Sequence, residues 1–163
     1  MDTVTDTAVQ EILRVLDEPF RDHLVELRRW LHQHPELSYQ EAETARRIMQ
    51  ELDAIDVRYN YAGVGHAVIG YIDGKDPSLP AIALRADMDA LPGDETTGAP
   101  YSSVNPGVMH ACGHCAHMSI LVGAARLLSE APPPGPVRLV FQPAEERGAG
   151  SRVAIADGAL ENV

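Results

Sequence analysis

The stretch PVRLVFQPAEE, residues 136–146, decides the fold class of this 163-residue chain. Its centre, Val137 to Phe141, is a short apolar run that predicts a strand buried on both faces. Similar runs predict strands at Ala81 to Arg85 and at Ala67 to Ile72, the latter closed by the turn Asp73-Gly74. A sheet built from such strands needs helices to cover it.

Helical patterns supply that cover. From Ile12 to Leu31 apolar residues recur at steps of mostly three and four, with Pro19 predicting a kink or a start and Pro35 an end. Ser38 and Glu41 predict a capping box for the next helix. Its apolar stripe consists of Ala45, Ile48, Met49 and Leu52.

Two further helices are predicted, at Ser119 to Ser129 and at Arg152 to Leu160, and the proline-rich segment 132–136 separates the first from the strand that follows. The segment from Asp87 to Gly107 is polar and rich in Gly and Pro, which predicts an irregular loop. Strands that alternate with helices predict an α/β layered domain.

Acidic pairs follow two of the predicted strands. Asp87 and Asp89 come after one strand, and Glu145 and Glu146 come after another. Active sites of α/β sheets gather at the carboxyl ends of strands, so these side chains are expected at one edge. Each pair alone also has an ordinary explanation, as a helix cap or turn for the aspartates and as solvated loop residues for the glutamates.

The histidine- and cysteine-rich run HACGHCAH, residues 110–117, is the sharpest chemical feature. Thiolates and imidazoles are good ligands for zinc and related ions, and Gly113 permits a tight turn between two of them. The alternatives are a Cys-x-x-Cys redox pair and an ordinary helix start with a buried thiol. The five residues concerned are His110, Cys112, His114, Cys115 and His117.

A metal would also explain the adjacent glutamates. Neighbouring carboxylates repel each other unless a cation or a proton intervenes. With a divalent ion, one carboxylate binds the ion and the other takes a proton from water.

Composition narrows the function class. The formal net charge is −11, from 24 acidic and 13 basic residues, and such a field would repel nucleic acid. The sequence contains no apolar run of about 18–20 residues, and its acidic start is unlike a signal peptide, so we expect no membrane association and a cytoplasmic location.

Four stretches together resemble the zinc-peptidase-like metallohydrolase family of aminoacylases, hippurate hydrolases and auxin-conjugate hydrolases. They are LRRWLHQHPELS (27–38), LRADMDALP (84–92), PGVMHACGH (106–114) and FQPAEE (141–146), and they occur in the family's order. The resemblance implies a layered α-β-α fold with a mostly parallel central sheet. It also implies a metal-dependent amidohydrolase that splits N-acyl amino acids into a carboxylic acid and an amino acid.

The resemblance assigns roles to single residues. Cys112, His114 and Glu146 match metal ligands, Glu145 matches the general base, and Asp89 matches the acid that supports the site. The implied cofactor is zinc or manganese, with two ions in a complete site. Further candidates for a substitute ligand or a supporting position are Cys115, Asp87, His110 and His117.

The sequence departs from the family in two respects. Cys115 stands where the family usually has Asp, and a thiol supplies no permanent carboxylate charge. The family is also about twice as long or more, so residues 1–163 are expected to be the N-terminal part of a truncated catalytic domain. The dimerisation or lid domain and the C-terminal catalytic segment would then be absent.

Three hypotheses follow. The first is an amidohydrolase that acts on a small N-acyl amino acid and is completed by a missing C-terminal portion or by self-association. The second is an inactive relative that at most binds a metal. The third is a thiol redox module built on Cys112 and Cys115.

Overall fold

The computed structural model describes Arg14 and residues 17–163. Helix α1, Glu18–Gln33, begins where Asp17 accepts a hydrogen bond from the Phe20 amide, with proline in its first turn. Pro19 therefore marks the start of this helix. The apolar positions Ile12, Leu13 and Leu16 of the predicted stripe lie outside the described residues.

Helix α2, Ala42–Ala54, does not use the predicted capping box. The Glu36 carboxylate instead accepts hydrogen bonds from the Thr44 amide and hydroxyl, both at 2.8 Å. Ser38 and Glu41 point into the protein and bind the loops that follow the strands. The capping-box prediction was wrong because tertiary partners outcompeted the local ones.

The main sheet contains four strands in the described part of the chain: β1 (Arg58–Tyr61), β2 (Val68–Ile72), β3 (Ile82–Asp87) and β6 (Val137–Gln142). They are hydrogen-bonded in the order β1-β2-β6-β3. The sequence analysis predicted β2, β3 and β6 and missed β1.

The layered α/β class is confirmed, and the sheet is mixed. Strands β3 and β6 run parallel, whereas β1–β2 and β2–β6 are antiparallel. The segment predicted to be irregular contains one short strand, β4 at Leu91–Pro92, which pairs antiparallel with β5 at Val108–Met109 directly after that segment.

The two faces of the main sheet are covered unequally. Helices α1, α2 and α3 (His114–Glu130) bury one face around Leu139 and Phe141. The short helix α4, Gly150–Ala156, packs on the other face, where Ile69, Val140 and Ala154 form a smaller cluster. Helix α3 begins five residues before the predicted Ser119, and that extension carries His114 and His117 into the helix.

In the part of the chain that the structure describes, no helix combines the length and apolar character needed to cross a bilayer.

Candidate metal centre

The centre lies where the parallel strands β3 and β6 end side by side. Asp87, the last residue of β3, is in register with Gln142, the last residue of β6. The aspartates and glutamates predicted to converge therefore do meet at one edge of the sheet. The first turn of α3 closes the cluster from above with His114.

Asp89 is the most tightly bound side chain of the cluster and has 0% exposure. Its carboxylate accepts hydrogen bonds from the Ser38 hydroxyl at 2.6 Å and from the amides of Glu145 and Glu146, both at 3.0 Å. Burial raises the pKa of Asp89, but the hydrogen bonds from His114, Ser38 and these amides outweigh it and lower the pKa to about 2. The carboxylate is thus a fixed charge that holds the glutamate loop in place.

The backbone of that loop is strained just before the glutamates. Ala144 has φ +49°, a left-handed conformation that costs an L-residue roughly 1–2 kcal/mol. Its amide donates to the Glu41 carboxylate at 2.8 Å, and Glu41 is 1% exposed. This buried bond, together with the two that Asp89 accepts, keeps the turn that presents Glu145 and Glu146.

His114 has one ring nitrogen fixed and the other free. Nδ1 lies 2.9 Å from the Asp89 carbonyl oxygen and donates a hydrogen bond to it, so Nε2 is the ring nitrogen that can bind an ion once it is deprotonated. Nε2 faces Glu145 and Glu146 at 3.8 Å and Asp87 at 3.9 Å. These distances are too long for hydrogen bonds but suit several atoms around a common ion.

Cys112 completes one such set. Its Sγ, a His114 ring nitrogen and a Glu146 oxygen all lie within 4.8 Å of one another. Burial and the nearby charges of Glu146, Glu145 and Asp87 raise the pKa of the Cys112 thiol. A bound cation would instead lower the pKa of the Cys112 thiol, because a thiol that binds a metal ion is deprotonated.

The donor set fits a divalent metal. Thiolate, imidazole and carboxylate are the three ligand types that zinc uses in proteins. Glu146 Oε1 is buried and has no hydrogen-bond partner among the described residues, which is costly unless a cation balances it. A second set of three, Asp87, His114 and His117, shares the same imidazole.

Cys115 does not join the cluster. Its side chain has 0% exposure, and its Sγ faces helix α1, 3.5 Å from His32 Nδ1. Burial raises the pKa of this thiol. The substitute-ligand role considered for Cys115 has no geometric support, since its thiol faces His32 and it belongs to neither group of potential metal ligands among the described residues.

His110 is also outside both sets of three. It is 6% exposed, and neither ring nitrogen has a hydrogen-bond partner among the described residues. Burial, with the neighbouring positive groups, lowers its pKa to about 3, so the ring stays neutral. It packs 6.4 Å from the His32 ring and occupies a supporting position.

The residues that the sequence analysis did not assign to the site are Ser38, Glu41 and His32. All three lie in the stretch LHQHPELSYQE, residues 31–41. Most of this stretch carried the family resemblance, but the resemblance assigned no role to these side chains. That resemblance was the signal that could have identified them.

Comparisons with known proteins agree with this geometry. The sequence profile of peptidase family M20/M25/M40 matches residues 83–163. The chain is 48% identical over 148 residues to the IAA-amino acid hydrolase ILR1-like 5 of Arabidopsis thaliana, covering 90% of this chain and 34% of that protein. It is 47% identical to the N-acetyl-L-cysteine deacetylase of Bacillus subtilis, covering 86% of this chain and 34% of the deacetylase.

A solved structure gives the same result. The YXEP protein of Bacillus subtilis, described as a dinuclear metal-binding peptidase of the M20 family, superposes with a TM-score of 0.86 at 42% identity. The match covers 90% of this chain and 42% of that one. The chain spans about a third of the length of the curated relatives named above and matches their N-terminal part. It belongs to peptidase family M20/M25/M40.

Proposed function

We propose that this chain carries the first half of the metal centre of an amidohydrolase that cleaves N-acyl amino acids. The observation that supports it most is the convergence of Cys112, His114 and Glu146 with Glu145 beside them. The relatives named as hydrolases of amino-acid conjugates and as deacetylases share this part of their sequence. We also propose that the native ion is zinc or manganese.

A divalent ion held by Cys112, His114 and Glu146 would supply Lewis-acid polarisation of the amide carbonyl and make a water more acidic. Glu145 is placed to take a proton from the attacking water, since its carboxylate is half-exposed and lies next to the ligands. Water adds to the carbonyl carbon, the C–N bond breaks, and Glu145 returns the proton to the leaving amine. Asp89 holds His114 and the glutamate amides in position throughout.

The three ligands do not complete a site. Zinc sites in proteins are mostly four-coordinate, and the relatives extend to about three times the length of this match. We propose that residues 1–163 form the N-terminal part of the catalytic domain. Further ligands and the substrate-covering wall would then come from a C-terminal portion or from another subunit.

The test compares this chain with its Glu145→Gln variant. Metal content is measured on each zinc- or manganese-loaded chain alone, and hydrolysis of N-acetyl, N-benzoyl or indole-acetyl amino acids is measured after each chain is supplied with a relative's C-terminal portion. We expect one ion per chain in both proteins, and hydrolysis at least ~100-fold slower in the variant. Glu130→Gln, at an exposed ion pair with Arg126 on α3, is the matched control and should change nothing.

Two outcomes would contradict the proposal in different ways. Equal hydrolysis in Glu145→Gln would remove this residue from the role of base. Metal binding without hydrolysis by the wild-type chain, even when supplied with a relative's C-terminal portion, would favour the inactive metal-binding relative instead.

A further inference from the structure

Arg28 is a half-buried cation on α1, in a groove that it lines together with Ala116 and Ser119 of α3. In the part of the chain that the structure describes, no carboxylate oxygen lies within 4.0 Å of its guanidinium. The neighbouring Arg29, by contrast, is exposed and pairs with Glu26 at 3.4 Å. A partly desolvated cation gains most from an anionic partner, so Arg28 lacks the partner that its position favours.

Cys115 occupies the place of such a partner in the first turn of α3. Burial raises the pKa of its thiol, whereas the charge of Arg28 and a hydrogen bond from Arg28 lower it in part. The Sγ atom also lies 3.5 Å from Nδ1 of His32, whose Nε2 is 3.1 Å from Glu95. A neutral thiol is a weak hydrogen-bond partner and gives Arg28 no counter-charge.

His110 shows the same shortage of acceptors. This ring lies 6.4 Å from that of His32, and both of its nitrogens are buried without a hydrogen-bond partner among the described residues. Apart from Glu95, which contacts His32, no described carboxylate bonds to Arg28, His32 or His110. Since unpaired buried donors cost free energy, this basic cluster is short of one anion.

Residue 115 links the cluster to the metal centre. Helix α3 starts at Gly113 without a side-chain cap, and its first turn contains no acidic residue. The buried Cys115 side chain therefore forms the contact between this turn and His32 of α1. Because His114 is the adjacent residue, a firmer hold on residue 115 also fixes the position of the His114 ring.

A carboxylate at position 115 would supply what the cluster lacks. Aspartate, the usual residue of the family at this position, is close to cysteine in size. Its charge would pair with Arg28 through a charge-assisted hydrogen bond, which is about twice as strong as a neutral one. Cysteine keeps the packing of the turn but gives up this bond.

We propose that Arg28 is a positioning residue of the metal centre, which acts on His114 through residue 115. The thiol of Cys115 leaves this support incomplete, so the chain binds its ion less tightly than its ligands allow. This inference rests on the metal-binding part of the proposed function and adds a residue that limits metal affinity.

The experiment measures Zn²⁺ affinity of the 163-residue chain by competition with a chromophoric chelator. We expect Cys115→Asp to bind Zn²⁺ about tenfold more tightly or better, and Cys115→Asn, which has the same shape without the charge, to stay within about threefold of wild type. Adding Arg28→Gln to Cys115→Asp should remove most of the gain. Adding Arg29→Gln, the matched control, should preserve it.

Two further readouts separate positioning from general stabilisation. The ligand-field absorption bands of the Co²⁺-loaded chain report ligand geometry, and they should change in Cys115→Asp and return to the wild-type spectrum when Arg28→Gln is added. Urea denaturation without metal tests the ion pair by itself. Its midpoint should rise in Cys115→Asp and fall below wild type in the double variant, where the buried carboxylate has lost its partner.

Each contrary result is distinct. A gain that persists with Arg28→Gln would assign the effect of the carboxylate to the α3 N-terminus and remove Arg28 from the positioning role. Equal affinities in Cys115→Asp and Cys115→Asn, or failure of Cys115→Asp to fold, would overturn the need for an anion at position 115. If wild type and Cys115→Asp both fold but bind no ion, the inference falls together with the metal centre of the proposed function.

Discussion

The two sides of the His114 ring differ in how fully their polar groups are paired. On the Nδ1 side, Asp89 is enclosed and accepts hydrogen bonds from Ser38 and two backbone amides. On the Nε2 side, Asp87 and Glu146 approach one nitrogen at 3.8–3.9 Å without bonding to it. The protein stabilises the side that only orients the ring, and leaves unpaired the side at which we propose that an ion binds.

Removal of the Asp89 carboxylate is expected to have the largest effect on the free energy of unfolding. Asp89→Ala strips a partner from Ser38 and from the Glu145 and Glu146 amides, all in or near the protein interior. We expect a loss of about 3–4 kcal/mol in the free energy of unfolding, measured by urea denaturation without metal.

The same truncation on the other side serves as the comparison. Glu146→Ala removes a carboxylate whose Oε1 has no hydrogen bond, so metal-free stability should stay within about 1 kcal/mol or rise. Equal losses in the two variants would refute the contrast.

Thiol reactivity tests the contrast with one cysteine on each side. Cys112 is exposed, whereas Cys115 is buried against His32. Because a buried thiol reacts only when the structure opens, we expect Cys112 to react with iodoacetamide at least ~100-fold faster.

Zinc should slow the Cys112 reaction, and excess EDTA should restore it. A reversible disulfide between Cys112 and Cys115 in the native chain would instead favour the redox module.

A smaller effect is expected from Ser38, which bonds to Asp89 from the loop between α1 and α2. Ser38→Ala deletes one buried hydrogen bond to a charged group, so unfolding should become about 1–2 kcal/mol easier. Ser78 makes a bond of the same length to Asp76 at the surface, and Ser78→Ala should cost less than about 0.5 kcal/mol. Similar losses for both serines would mean that the enclosure of Asp89 does not strengthen its bonds.

The smallest effect concerns Glu95, which links the loop between β4 and β5 to α1. Hydrogen bonds from the Thr97 hydroxyl and the Ser103 amide, with His32 beside them, lower the pKa of Glu95 to about 2. The folded protein thus binds a proton at Glu95 less readily than the unfolded chain does. The stabilisation is present above about pH 4.5 and is lost as pH falls towards 2.

Acid titration of stability checks this effect. Between pH 4.5 and 2.5 the wild-type chain should lose about 1 kcal/mol more than Glu95→Gln, whose amide cannot titrate. Parallel pH profiles for the two proteins would show that Glu95 gains nothing from folding.

The sequence by itself determined the strands β2, β3 and β6 and the family. Each strand is a continuous apolar run, a signal that depends only on neighbouring residues. The pairing of residues 87–89 with 145–146 at one edge was also predictable, because parallel strands present their carboxyl ends together.

Tertiary structure alone decided the partners of individual side chains. Ser38 and Glu41 have the spacing of a capping box, yet Asp89 and the Ala144 amide, about fifty and a hundred residues away, take their hydrogen bonds. Strand β1 was missed because Arg58–Tyr61 is polar and partly exposed at the sheet edge, where pairing with β2 defines it. Likewise the sequence made Cys115 a candidate for the metal centre, but in α3 its thiol faces His32, whereas His117 faces Asp87 at the metal centre. Such choices depend on contacts between residues far apart in the chain, which no local pattern records.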